Sequence, residues 1–318
     1  MNGLELALTN LTSPPVLAFA LGAAAVMMRS DLRLPDPIHT WLSTYLLLAI
    51  GLKGGVALRS VSFSAFAGPA LVTIAIGVVT PIIAFAMARR LLTLAPSDAG
   101  SFAAHFGSVS VVTFTAADVF AAEAGFDAEG MMTSLVAMLE IPGIIVALLL
   151  VGRHGGTRWG ATLHEVLTGR SVLLLVGGLV IGAVAADDSF ARVEPFFLDL
   201  FTGILVLFLL DMGATAASRL ISSRSVRPRV VTAGLLLAVS FGVTAVIAGT
   251  AVGLSVGGAA VLGAMAASAS YIAAPAAVRT ALPDADPGLS LGLALGVVFP
   301  FNLAIGIPLY TALADRIG

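Results

Sequence analysis

The chain has 318 residues, of which 58% are hydrophobic and only 11% charged, with a formal net charge of −2. Soluble domains carry charge on nearer a quarter of their residues, so a water-soluble enzyme or nucleic-acid-binding module is excluded. With no cysteine at all, disulfides, thiolate metal sites and a cysteine nucleophile are excluded as well.

In chain order, Met1–Ser13 lacks a basic leading region and reads as a short polar lead, not a cleaved signal peptide. Ten apolar stretches follow, at 14–28, 39–57, 64–91, 98–122, 129–151, 169–186, 195–217, 229–250, 257–280 and 288–314. Each reads as one crossing of a hydrocarbon core that needs about 20 apolar residues. Turn-forming clusters separate them, among them Ala95-Pro-Ser-Asp98, Ala186-Asp-Asp-Ser189 and Leu282-Pro-Asp-Ala-Asp-Pro287. The longest polar connector, 153–168, divides a first five-span unit (1–152) from a second (169–318). Expected, then, is an all-α polytopic membrane protein of ten transmembrane helices.

Basic residues orient the spans. Arg29, Arg33, Arg89, Arg90, Arg153, Arg158, Arg170, Arg219, Arg224, Arg227, Arg229 and Arg279 fall on one side. Only Lys53, Arg59, Arg192 and Arg316 fall on the other. The first side is therefore read as cytoplasmic, with both termini outside. Five spans per unit is an odd number, so the second unit enters the membrane in the opposite sense and the repeat is inverted.

Two serine-bearing stretches interrupt otherwise apolar spans: Gly107-Ser108-Val109-Ser110 in the fourth, and Ala267-Ser268-Ala269-Ser270 in the ninth. Ser108 and Ser268 are 160 positions apart, as are Ser110 and Ser270, and Arg59 and Arg219. Paired interruptions at matched positions are the pattern of inverted-repeat secondary transporters, and non-helical backbone survives at membrane depth only where it lines a cavity inside the protein. New half-helices are expected to start near Val111 and Tyr271. Each start exposes unpaired N–H groups and about half a positive charge. Two such ends facing each other would hold an anion with no basic side chain. The expected anion site is Gly107, Ser108, Val109, Ser110, Ser268, Ala269, Ser270 and Tyr271, with serine hydroxyls as caps and donors.

Glu140, two residues before Pro142, lies at mid-depth in the fifth span, and the offset of 160 carries this pair onto Pro300 and Asn302. A carboxylate in the membrane costs a few kcal/mol or more and normally faces a cavity or a cation. Hard oxygen donors suit Na⁺ better than a transition metal, so Thr113, Glu140, Ser270 and Asn302 are expected to hold Na⁺. Asp118, about 11 Å along its half-helix from the break, is placed on an access pathway or in a solvated contact. Lys53, the only lysine, is expected to snorkel to the interface, and Asp211 to pair with Arg219 or a loop arginine. Neither a His-Glu-x-x-His motif nor a phosphate-binding glycine loop is present.

Several segments carry a resemblance: Ser30–Pro37, Tyr45–Gly55, His105–Phe114, Phe208–Gly213, Ser268–Pro275 and Phe299–Tyr310. In these the chain resembles the sodium-dependent bicarbonate transporter family, best known from cyanobacterial carbon-concentrating systems. The resemblance implies Na⁺ as coupling ion, bicarbonate as substrate and the plasma membrane as location. It also implies two broken helices crossing in a core domain that moves against a gate domain, and a homotrimer. A PII-like cytoplasmic regulator is implied too, although the connector here is short and glycine-rich. Alternatives left open are symport of another small carboxylate, cation/proton antiport on a related fold, and an anion sensor that transports nothing. Antiport would want a titrating acidic pair at mid-membrane, and the broken segments contain none.

Overall fold

The computed structural model describes residues 3–30, 32, 34–152, 160, 164, 167–222 and 226–318. The connector 153–168 lies almost wholly outside the described residues, as do Arg33, Arg153, Arg158 and Arg224 of the basic face. Among the described residues the chain is all helix, without a strand. In order come α1 (Gly3–Leu11), α2 (Pro14–Met27), α3 (Asp36–Leu58), α4 (Phe63–Arg90), α5 (Pro96–Gly107), α6 (Val111–Glu123) and α7 (Met132–Gly152). They are followed by α8 (Arg170–Val184), α9 (Asp187–Phe190), α10 (Phe201–Ser222), α11 (Pro228–Ala251), α12 (Val256–Ala267) and α13 (Ala273–Ala281). The last segment is α14 (Pro287–Leu293), α15 (Phe299–Phe301) and α16 (Ile307–Ile317), joined by π-helical turns.

Helix starts follow local chemistry. Pro14, Pro96, Pro228 and Pro287 each open a helix, where the missing N–H would have been unpaired anyway. The Ser62, Ser255 and Asp286 side chains accept the first-turn N–H groups of Ala65, Gly258 and Gly288. Each of the ten expected stretches is helical over most of its length. Among the described residues seven helices, counting a broken helix as one, are long and apolar enough to cross a membrane. Pro14–Met27, Arg170–Val184 and Val256–Ala267 are shorter apolar helices. Fourteen residues rise about 21 Å, against a hydrocarbon core of about 30 Å. Large aliphatic side chains stay on the outer faces, with Leu71 73%, Leu173 62% and Val184 79% exposed. That is a surface for lipid.

Helices α2, α3, α8 and α10 pack largely on one another. A Cβ added at Gly22 would come 1.9 Å from Leu210 O, and one at Gly213 would come 2.0 Å from Phe19 O, so α2 and α10 touch backbone to backbone. Gly182 and Gly55 make the same close approach between α8 and α3, against Leu52 O and Leu179 O. Gly22 and Gly182 are 160 positions apart, as are Phe19 and Leu179. Small residues of this kind supply tight crossings where lipid offers no hydrophobic drive. The remaining long helices form a second set, with α4 on α5 and α7, and α11 on α12.

The last segment is irregular for an identifiable reason. Its π turns, Ala294–Val298 and Asn302–Gly306, each end two residues before a proline, Pro300 or Pro308. In the second, the Ile307 N–H reaches back five residues to Asn302 O. Leu303 O would then need the N–H of Pro308, which proline lacks. The buried Asn10 side chain donates to that carbonyl. A polar residue of α1 thereby satisfies a backbone group freed by a proline far along the chain.

Candidate functional site

The two broken helices cross at their interruptions. Helix α6 packs on α12, and α5 on α13. Between α5 and α6 the backbone is extended, with φ −109° and ψ 172° at Ser108 and φ −92° and ψ 111° at Ser110. Helix α6 starts at Val111, where it is expected. Helix α13 starts at Ala273, two residues after the expected Tyr271, so the second interruption is the longer one. Pro275 falls in the first turn of α13, a place that tolerates proline. Ser108, Val109, Ser110, Ser268, Ala269 and Ser270 are all buried.

The interruptions are stitched to each other. Ser110 Oγ caps α6 by accepting the Thr113 N–H at 3.1 Å. Ser270 Oγ accepts the Ala274 N–H at 3.2 Å. Ser268 Oγ donates to Met265 O at 2.7 Å and accepts the Ser110 N–H at 2.8 Å. The Ser270 N–H donates to His105 O at 2.8 Å. The serines thus spend much of their capacity on holding the crossing, beyond the ligand role read from their spacing. The N–H groups of Val111 and Val112, and of Tyr271, Ile272 and Ala273, take no partner among the described residues. Two sets of unpaired donors therefore begin half-helices at one crossing.

Ser268→Ala removes both of its side-chain bonds and leaves the buried Ser110 N–H without its acceptor. An orphaned buried donor costs about 1–3 kcal/mol. Ser110→Ala likewise orphans the Thr113 N–H, but Ser268→Ala also loses the bond to Met265 O, so the Ser268→Ala protein should melt at the lower temperature, measured by thermal unfolding of the purified chains. A smaller drop for Ser268→Ala would mean that the Ser110 N–H finds another acceptor.

Polar atoms without partners gather around the crossing. Ser108 Oγ, Thr113 Oγ1, Glu140 Oε2, Tyr271 OH and His105 Nε2 are buried and make no hydrogen bond among the described residues. The Tyr271 hydroxyl approaches the Ser110 side chain without reaching hydrogen-bond geometry. Buried polar atoms are normally satisfied, so a cluster of exceptions marks a place for a guest.

Helix α7 touches the first interruption at Gly143, a contact that spacing did not suggest. A Cβ added at Gly143 would lie 1.7 Å from Gly107 O and 2.9 Å from Ser108 N. Residues three apart share a helix face, so Glu140, one turn before Gly143, is on the face that α7 turns to the first interruption. Glu140 is 1% exposed and makes no ion pair among the described residues. Thr113 sits in the first turn of α6. Asn302 also holds the crossing: its Nδ2 donates to Ala267 O at 2.9 Å, closing the end of α12, and its Oδ1 accepts from Tyr310 OH at 3.4 Å. Of the four expected Na⁺ ligands, Glu140 and Thr113 retain free oxygens, while Ser270 Oγ already accepts the Ala274 N–H and Asn302 Oδ1 the Tyr310 hydroxyl.

Three other charged residues find partners that spacing did not reveal. Asp118 pairs with Lys53 at 2.8 Å, joining α6 to α3, so Lys53 does more than snorkel. Asp211 pairs with His39 Nδ1 at 2.6 Å, not with the expected arginine. Arg59 pairs with Asp187 and also donates to Gly182 O and Ala185 O.

Residues 14–315 match the family described as the Na⁺-dependent bicarbonate transporter superfamily. No curated protein matches the chain.

Proposed function

The chain belongs to the Na⁺-dependent bicarbonate transporter superfamily, and from that premise we propose that it carries bicarbonate inward across the plasma membrane by Na⁺-coupled symport with alternating access. The family is one of transporters, so the working chemistry is binding and movement and not covalent catalysis. The observation that carries this reading is the crossing itself: two interrupted helices whose unpaired N–H groups and unpartnered hydroxyls and carboxyl meet inside an apolar chain.

In this reading the ten helical stretches are two inverted five-span repeats, 1–152 and 169–318, with both termini outside. Support comes from the paired interruptions and from the α2–α10 and α3–α8 glycine contacts, in which Gly22 and Gly182 are 160 positions apart and Gly55 and Gly213 are 158 apart. The set α2, α3, α8 and α10 is the gate domain, and the set holding both broken helices is the core. Bicarbonate sits between Gly107–Ser110 and Ser268–Tyr271, taking N–H groups from the two helix starts and hydroxyls from Ser108 and Tyr271. Na⁺ sits beside it on Glu140 and Thr113, with Ser270 and Asn302 completing the oxygen set. Bound Na⁺ offsets the cost of a buried carboxylate, and each ligand raises the affinity for the other by the same factor. The membrane potential adds about 2.3 kcal/mol per charge per 100 mV. Asp118 and Lys53, from core and gate, close the outer side of the path. The assembly is a homotrimer, with the cytoplasmic face open to a PII-like regulator.

The test is uptake of labelled bicarbonate into proteoliposomes. An inward Na⁺ gradient should drive accumulation above equilibrium, and Ser110→Ala and Ser270→Ala should each slow it while the protein still assembles. Bicarbonate binding without Na⁺-driven accumulation would make the protein a sensor. Stronger competition by another small carboxylate would reassign the substrate.

A further inference from the structure

Away from the crossing, a cavity of about 310 Å³ opens between the start of α8 and the middle of α13, with α7 behind it. Arg170 and Arg279 line it from two different helices, and Ser171, next to Arg170 on α8, lines it too. Neither arginine makes a hydrogen bond or ion pair among the described residues. Ser171 is 2% exposed, and its hydroxyl has no partner among the described residues. Helix α8 is capped by Gly169, which has no side chain to accept the first-turn N–H groups. Only the Leu173 N–H returns to Gly169 O. Gly169, Arg170, Ser171 and Val172 all line this cavity, so the uncapped helix start borders the same space as both arginines and the buried serine.

Each element on its own would be ordinary. Exposed arginines are usually solvated, and a helix start is usually met by water. Together they supply donors and positive charge with no acceptor among the described residues to balance them. That combination fits a group offering acceptors and negative charge: an oxyanion, held by forked guanidinium bonds, a helix start and a hydroxyl.

We infer that Arg170, Arg279, Ser171 and the start of α8 form a second anion site, for a phosphate-like oxyanion, separate from the crossing. Its inner wall is Ile144, Ile272 and Ala273. Ile144 directly follows Gly143, and Ile272 directly follows Tyr271. The site thus lies one residue from both flanks of the crossing, on the arginine-rich face. Helix α8 belongs to one packing set and α13 to the other, so an anion gripped by both arginines ties the two sets together. The apolar inner wall also suits the first carbons of a lipid chain, so the same oxyanion chemistry can come from solution or from a phospholipid headgroup.

The full chain in nanodiscs of phosphatidylcholine alone, titrated with ³³P-labelled orthophosphate, should show saturable binding. Arg170→Gln and Arg279→Gln should each weaken it by about tenfold or more, as expected for losing one charge-assisted contact. Both arginines are exposed, so size-exclusion profiles should stay unchanged. The double variant Ser110→Ala/Ser270→Ala should retain phosphate binding, which separates this site from the crossing and keeps it standing even if Na⁺-driven uptake fails. A second arm uses nanodiscs containing phosphatidylglycerol and native mass spectrometry. Lipid retained by the parent chain and lost in both arginine variants identifies a headgroup as the occupant. Arginine-dependent binding in either arm supports the site. Binding in neither arm, or binding indifferent to both arginines, overturns it.

Discussion

Gly143→Ala should abolish bicarbonate uptake and lower the melting temperature of the purified protein. The added methyl group would sit 1.7 Å from Gly107 O and 2.2 Å from Gly107 C, which are backbone atoms with no rotamer to escape into. Either α7 moves away or the first interruption does, and overpacking of this kind costs about 1–3 kcal/mol. Function should suffer more than stability. A shift of α7 also carries Glu140, on the same face one turn earlier, away from Ser108 and Thr113. Gly177→Ala is the matched control, because a Cβ there meets nothing within 4 Å. It should leave uptake intact and raise stability by up to about 1 kcal/mol, since alanine is the better helix former. Normal uptake by Gly143→Ala would show that the contact between α7 and the first interruption is dispensable, and would detach Glu140 from the crossing.

Glu140→Gln should remove the Na⁺ dependence while the protein stays folded. Glutamine keeps the shape and drops the charge, so a fully buried position with no ion-pair partner loses its attraction for a cation without leaving a void. A cation that binds only the folded chain stabilises it by RT ln(1 + [L]/Kd), about 2.7 kcal/mol at 100 times the dissociation constant. In the parent protein, raising Na⁺ should therefore raise the melting temperature, and raise it again when bicarbonate is present. In Glu140→Gln both increments should vanish, and residual uptake should no longer respond to the Na⁺ gradient. Glu140→Asp, with the charge retained on a shorter arm, should keep a weakened response. An unchanged Na⁺ response in Glu140→Gln removes this residue from the ion site. Loss of bicarbonate affinity with an intact Na⁺ response would instead assign it to the anion.

Much of the site was readable from local chemistry. Paired serines inside apolar stretches mark Gly107–Ser110 and Ser268–Ser270 as interruptions, because serine caps helices and lipid cannot satisfy loose backbone. Pro96, Pro228 and Pro287 mark helix starts because proline has no N–H to lose. Helix α13 starts two residues after Tyr271, and the Ser270 N–H before it is taken by His105 O, a bond between spans that nothing near Ser270 reveals. The same holds for Asn302: the bond from its amide nitrogen to Ala267 O, which closes the end of α12, is not revealed by its spacing from Glu140.

By itself the sequence determined an all-helical, lipid-facing chain and the two places where helix gives way. Those are properties of residues and their immediate neighbours, through composition, period and turn chemistry. The tertiary structure alone decided which serine bridges the crossing, that α7 meets the first interruption at Gly143, that Lys53 meets Asp118, and that Arg170 and Arg279 share one cavity. Each depends on helices far apart in the chain approaching within a few ångströms. A contact of that kind is set by how whole helices pack, and no single stretch of sequence carries it.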